Sequence, residues 1–201
     1  MSYGTVPLTK DQENDVLNRI GYSTAQLKAD VVQLRRWLNK QEHLPACRLK
    51  ETDAFLSTFL TGSKGSIERS KRRIDAYYTF RGRNNIFTGR TDPSYLERAL
   101  KISGAAELRR RDSTTSVVFV SLTDVDPEHF DGIDAMKAFL LYFEYKFRMG
   151  SGIQGSQIYL VDFKNYSTSH LLRLPPAELK SFIEFFHVSE TGKLQNVKRE
   201  N

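Results

Sequence analysis

The chain has 201 residues, a length that suits one compact domain or one domain with a small helical annex. Its 39% hydrophobic and 27% charged residues are typical of a globular protein, and its net charge of +6 favours an anionic partner, either nucleic acid or a phospholipid surface. The single cysteine excludes a disulfide framework and a multi-cysteine metal site.

The N-terminal segment and the longest apolar run bear on the location of the protein. The first residues, MSYGTVPLTKDQEN, lack the apolar core of a secretory signal. The run AMKAFLLYFEYKF is too short to span a bilayer and carries charged residues. We therefore expect a cytoplasmic protein.

The first hundred residues predict a helical region of about four elements. Leucine and valine residues recur at helical spacing over residues 11–41, and Leu44-Pro45 ends the pattern. Thr52 or Asp53 is a suitable N-cap for a short second helix. A capping side chain followed by proline, Asp92-Pro93, predicts another helix start.

The turn from Gly62 to Gly65 lies between two predicted helices, the second of which is capped by Ser66. Its Gly-Ser-Lys-Gly sequence resembles the end of a Walker A loop, but the spacing and the preceding strand of that motif are absent. It also matches the GXXG loop of KH domains, whose first helix follows a strand that is not predicted here. An ordinary left-handed turn between two helices is the interpretation that needs no further element.

The second half of the chain predicts a βαβ unit. Residues 116–122 and 156–163 are near-continuous apolar segments, typical of strands buried on both faces. Residues 134–149 between them predict a helix, so the two strands should be parallel with a right-handed crossover. Pro175-Pro176 starts a further helix.

The helix predicted over 134–149 is apolar around most of its circumference, and only a narrow stripe is polar. Such a helix needs cover on both sides, either from protein or from an apolar ligand. Lys146 projects into the apolar face, where it either extends to solvent or meets a polar partner inside the protein.

Catalytic motifs are missing from the sequence. The four histidines are scattered without metal-ligand spacing, and there is no G-x-S-x-G element. Asp162 and His170 are not accompanied by an activated serine. We predict a protein that is not an enzyme and that uses no metal or cofactor.

Two longer blocks carry a resemblance to a known family. The first is FLTGSKGSIERSKRRIDAYYTFR followed by Asp92-Pro93, and the second is IYLVDFKNYSTSHLLRLPPAEL. Together they resemble the CRAL-TRIO lipid-binding family, in particular its alpha-tocopherol-transfer-protein-like members. The resemblance implies an α/β fold in which an N-terminal helical bundle precedes a partial CRAL-TRIO βαβ sheet domain.

The resemblance also implies a domain organisation. The helical N-terminal region would occupy residues 1–104, with the core of the CRAL-TRIO N-terminal domain at about 50–93, and the partial lipid-binding domain would occupy 105–186. Residues 187–201 are polar and aperiodic, which predicts a disordered tail. Later elements of the family are missing, so we expect a truncated form that is poorly soluble or binds lipid weakly.

The function implied by the resemblance is non-catalytic binding and intracellular transfer of a hydrophobic lipid of the tocopherol, retinoid or phosphoinositide type. The implied pocket residues are Val118, Val120, Leu122, Phe139, Tyr142, Phe143, Lys146, Ile158 and Leu160. A peripheral contact with an anionic membrane would use Lys64, Lys71, Arg72 and Arg73.

Two other functions remain open on the sequence. One is a nucleic-acid-binding module that uses the Gly62–Gly65 turn and the basic helix after it, although a lipid partner is preferred over nucleic acid. The other is a protein-interaction role that the helical region performs by itself.

Overall fold

The computed structural model describes residues 7–44, 52–87, 90, 92–109, 113–146 and 151–189. Within them the protein is a mixed α/β structure of eight α-helices, two short 3₁₀ helices and one three-stranded sheet. The helices are α1 (Lys10–Arg19), α2 (Thr24–Leu38), α3 (Asp53–Gly62), α4 (Ile67–Arg83), α5 (Ser94–Ile102), α6 (Gly132–Lys146), α7 (Thr168–Leu172) and α8 (Pro176–Ser189). The strands are β1 (Ser103–Arg109), β2 (Ser116–Leu122) and β3 (Gln157–Asp162), and the 3₁₀ helices are Asn85–Phe87 and Pro127–His129.

The predicted helical stretch over 11–41 is two helices, and each starts at a capping box. Thr9 and Gln12 bond reciprocally at the start of α1, and Ser23 and Gln26 do so at the start of α2. Gly21 adopts a φ of +67° between them, a conformation that interrupts the helix. The hydrophobic periodicity alone does not show this break, because the apolar spacing continues across it.

Helix α3 lies at the centre of the helical region, and every residue from Phe55 to Thr61 is buried. The side chains of Thr52 and Ser66 cap α3 and α4, as the sequence predicts. Lys64 and Gly65 between the two helices have φ values of +54° and +74°. The Gly62–Gly65 segment is thus a left-handed helix–helix turn, and that prediction is confirmed.

The three strands form a sheet in the order β1-β2-β3. Strands β2 and β3 are parallel and flank α6, which confirms the predicted βαβ unit. Strand β1 pairs antiparallel with β2 and was not predicted. Its sequence, SGAAELR, has little intrinsic strand preference, and its extended form depends on pairing with β2.

Helix α6 covers one face of the sheet. Its Tyr142 and Lys146 bond to Glu107 of β1, and the ring of Phe139 lies 5.4 Å from that of Tyr159 on β3. The opposite face carries Leu108 of β1 and Phe119 of β2, which are 62% and 36% exposed. The prediction that the apolar strands are buried on both faces is therefore wrong for the described part of the chain, where the packed helix lies on one side.

A single hydrophobic cluster joins the helical region to the second half of the chain. It contains most apolar residues of α2, α3 and α4, together with Leu140 and Phe143 of α6 and Phe185 of α8. A smaller cluster lies where α5, β2 and the Phe130 segment meet. None of the described helices is long and apolar enough to cross a bilayer.

The last predicted boundaries need correction. Helix α8 extends to Ser189, so the tail predicted to start at residue 187 begins inside a helix. Residues 190–201 lie outside the described residues, as do Cys47 and part of the Arg109–Arg111 run.

Candidate protein-interaction surface

The outer surface of α4 presents one row of side chains along the helix. The helix buries Ser70, Ile74, Tyr77 and Tyr78 against its neighbours. Residues spaced three or four apart on the other side point outward, because that spacing keeps side chains on one helical face. We call this set the α4 outer row: Arg69, Arg72, Ala76, Thr79, Phe80 and Arg83.

An open groove of about 500 Å³ runs beside the C-terminal half of this row. Phe80 contacts α8 there, with its ring centroid 6.0 Å from that of Phe185. The groove is therefore placed by the packing of α4 on α8. Its lining residues are Asp75, Ala76, Thr79, Phe80, Arg83, Asn84 and Glu184.

The two carboxylates of the groove are already engaged. Asp75 Oδ1 lies 2.6 Å from Nε2 of His43, and Glu184 Oε1 lies 3.8 Å from Nζ of Lys180. Both pairs are largely exposed, so they contribute little to stability. Lys180 offsets the charge of Glu184, whereas His43 offsets that of Asp75 only when its ring is protonated.

The arginines of the α4 outer row form no ion pairs with the described residues. Arg69, Arg72 and Arg83 are exposed, and none of them has an ion-pair partner among the described residues. The N-terminal half of the row is therefore basic, and the C-terminal half lies beside a groove whose lining mixes the apolar Ala76 and Phe80 with polar and charged side chains.

The four cations predicted for membrane contact do not form one free basic patch. Lys71 Nζ lies 2.6 Å from Glu68 Oε1, and Arg73 Nη1 donates a hydrogen bond of 2.8 Å to the carbonyl of Gly62. Lys64 is exposed in the turn, and Arg72 belongs to the α4 outer row. Two of the four predicted cations, Lys71 and Arg73, are thus bonded to other groups of the protein.

The residues predicted to line a lipid pocket are not brought together around the described groove, which none of them lines. Side chains alternate along a strand, and Ile158 and Leu160 pair with the residues on either side of Val118. Ile158 and Leu160 therefore lie on the opposite face of the sheet from Val118, Val120 and Leu122. Leu122, Val118 and Phe143 are buried as ordinary core residues.

Lys146 meets a polar partner, which decides between its two predicted environments. Its side chain is 12% exposed, and Nζ lies 2.6 Å from Oε1 of Glu107. The hydroxyl of Tyr142 donates a 2.8 Å bond to the same carboxylate. Burial raises the pKa of Glu107, but the bonds from Lys146 and Tyr142 outweigh it and hold that pKa below its ordinary value.

Sequence reasoning missed the groove, although a signal for half of it is present. The spacing of the α4 outer row is visible in the sequence, but that spacing alone does not show that a groove lies beside it. The other wall comes from Glu184 on α8, which is distant in sequence and has no local motif.

A family model described as "Pinta-like, UBA domain" matches residues 23–95. The match begins at the N-cap of α2, covers α3 and α4, and ends inside α5, so it includes the whole α4 outer row. No curated protein matches the chain.

This match corrects the family inferred from the sequence. The sequence predicts the core of a CRAL-TRIO N-terminal domain at about residues 50–93, whereas the family model that matches these residues describes a UBA domain. The lipid ligand, the anionic membrane partner and the tocopherol-transfer role depended on that resemblance and are withdrawn with it. The physical reason is that helix caps, a left-handed turn and buried tyrosines, which carry the first block, serve any pair of packed helices.

Proposed function

We propose that residues 23–95 are a protein-interaction module whose partner is a protein of the ubiquitin type. The observation that carries this proposal is the match of these residues to a UBA, or ubiquitin-associated, domain model. A protein-interaction role of the helical region was one of the functions left open by the sequence.

The packing of the helical region suits such a role. Helix α3 is buried from Phe55 to Thr61, and α2 and α4 pack on it, so a partner meets the outer surfaces of α2 and α4. Small helical scaffolds of this kind present fixed side chains and need little rearrangement on binding. The outer surface of α4 combines exposed cations with the half-buried apolar residues Ala76 and Phe80, a mixture common at the edges of interfaces.

A heteronuclear NMR titration of the full chain with ubiquitin tests the proposal. We expect saturable shifts concentrated in residues 23–95, with a dissociation constant stronger than about 1 mM. Lysozyme, another small folded protein, serves as the control and should cause no saturable shifts. If ubiquitin at millimolar concentration leaves the NMR signals of residues 23–95 unshifted, ubiquitin is not the partner.

A further inference from the structure

We infer that the α4 outer row and the adjoining groove bind an acidic amphipathic segment of a partner protein. This inference rests on the proposed function for the class of partner, and it adds the docking surface and the charge that the partner carries. The partner's apolar side chains would enter the groove beside Phe80, and its carboxylates would lie against Arg69 and Arg72.

The charge of the row supports an acidic partner. Arg69, Arg72 and Arg83 are exposed and have no ion-pair partner among the described side chains. Guanidinium groups bind carboxylates in a two-pronged geometry, which favours them at interfaces with acidic segments. Glu184 lies 3.8 Å from the ammonium group of Lys180 and so opposes an acidic partner less than a free carboxylate would, whereas the bond partner of Asp75 is His43, which is cationic only when protonated.

The dimensions of the row suit a helical segment. Arg69 and Arg83 are separated by fourteen residues of one helix, or about 21 Å along its axis. A partner helix of about four turns covers that length. Ala76, Thr79 and Phe80 lie between the cations and line the groove, so the apolar contacts would fall in the middle of the row and charged contacts at its ends.

The same surface is less suited to nucleic acid. A nucleic acid carries a charge at every nucleotide and would place phosphates beside Asp75 and Glu184 of the groove, whereas an amphipathic segment places apolar side chains there. Phe80 is the single aromatic residue of the row, and it packs against Phe185 instead of offering a free face for base stacking. An acidic protein segment therefore fits the described surface better than RNA.

Fluorescence polarisation with three labelled probes tests the inference on the full chain. The first probe is a helical peptide of about 16 residues with leucines on one face and glutamates on the others. The second has lysine in place of every glutamate, and the third is oligouridylate of the same length. We expect the acidic peptide to bind with micromolar affinity, and to weaken at least about tenfold between about 50 and 300 mM NaCl.

Variants then locate the site. The double substitution R69E/R72E should weaken the acidic peptide by about tenfold or more, because it replaces both cations with repelling charges. The double substitution K101E/K164E lowers the net charge by the same amount as R69E/R72E, but at exposed residues outside the row. It should change the dissociation constant of the acidic peptide by less than about twofold. Unchanged melting temperatures show that both variants are folded.

Four outcomes of the binding measurements overturn the inference. These are failure of the acidic peptide to bind, equal binding of the lysine peptide, equal loss in K101E/K164E, and tighter, R69E/R72E-sensitive binding of oligouridylate. Ubiquitin shifts that map to residues 23–95 outside the row would reject this docking surface and leave the proposed function intact. Absence of ubiquitin shifts together with acidic-peptide binding at the row would reject ubiquitin and leave the docking surface intact.

Discussion

Arg90 and Glu144 form an ion pair inside the protein, with 3.0 Å between Nη2 and Oε2 and only 9% of each side chain exposed. The same carboxylate accepts bonds from the guanidinium of Arg81 and from the hydroxyl of Tyr77. Burial, together with the charge of Glu144, raises the pKa of Tyr77 and keeps its hydroxyl protonated as a donor. One carboxylate of α6 thus connects α4 and Arg90 to the second half of the chain.

Replacing Glu144 with alanine should destabilise the protein by about 3 kcal/mol, because Arg90 is then left buried without a counter-charge. Urea unfolding followed by circular dichroism measures this loss. The control is D15A, which removes an exposed pair with Arg19 on α1 and should cost at most about 1 kcal/mol. Equal losses in the two variants would show that the Glu144 cluster adds nothing beyond an exposed ion pair.

The start of α3, the start of α4 and the turn between them are predictable because their signals are local. Thr52 and Ser66 cap the helices that follow them, and the Gly62–Gly65 turn supplies the left-handed residues between those helices. The parallel pairing of β2 and β3 also follows from chain order, since a crossover helix separates them.

The remaining features depend on contacts between distant segments, which no local pattern reveals. Strand β1 is extended because β2 pairs with it, and Glu144 is buried because Arg81 and Arg90 approach from another part of the chain. The α4 outer row is periodic and visible in the sequence, whereas the groove exists only once Glu184 of α8 lies beside it. The family resemblance failed for a related reason, since it relied on caps, turns and core aromatics that many helical folds share.

Replacing Gly65 with alanine should destabilise the protein by about 1–2 kcal/mol, because a φ of +74° disfavours any side chain at this position. The added Cβ would also lie 3.1 Å from a ring carbon of Tyr22. Gly82 near the end of α4 offers a matched control, since a Cβ there meets open space. G82A should stabilise the protein by about 0.5–1 kcal/mol. Thermal melts measure both effects, and a change of melting temperature in the same direction for G65A and G82A would contradict this prediction.

The bond between Glu107 and Lys146 should make stability depend on pH in the acidic range. The pKa of Glu107 is lower in the folded protein than in the unfolded chain, so its contribution is present above about pH 4.3 and is lost as pH falls through the folded-state pKa. The difference in unfolding free energy between wild type and E107Q should therefore shrink as the medium is acidified below about pH 4. Urea titrations from neutral to acidic pH measure that difference.

The variant K146M checks the cause of this pH dependence. Without the ammonium group, burial is the main influence left on Glu107, and burial raises its pKa. In K146M, Glu107 should therefore contribute less to the loss of unfolding free energy at low pH, or should instead increase the unfolding free energy there. A pH dependence that K146M leaves unchanged would assign the effect to other carboxylates.

Replacing Phe185 with alanine should destabilise the helical region although Phe185 lies outside it. This side chain of α8 is fully buried, and its ring centroid lies 5.0 Å from Phe87, 5.8 Å from Tyr77 and 5.9 Å from Phe143. Truncation of a buried phenylalanine costs about 3–5 kcal/mol through lost burial and the cavity that remains. The nearby I183A removes a side chain that is 45% exposed and should cost well under half as much. In F185A, backbone amide hydrogens should exchange faster in α4 as well as in α8, because the two helices share this contact. Loss of protection confined to α8 would mean that residues 23–95 are stable without it.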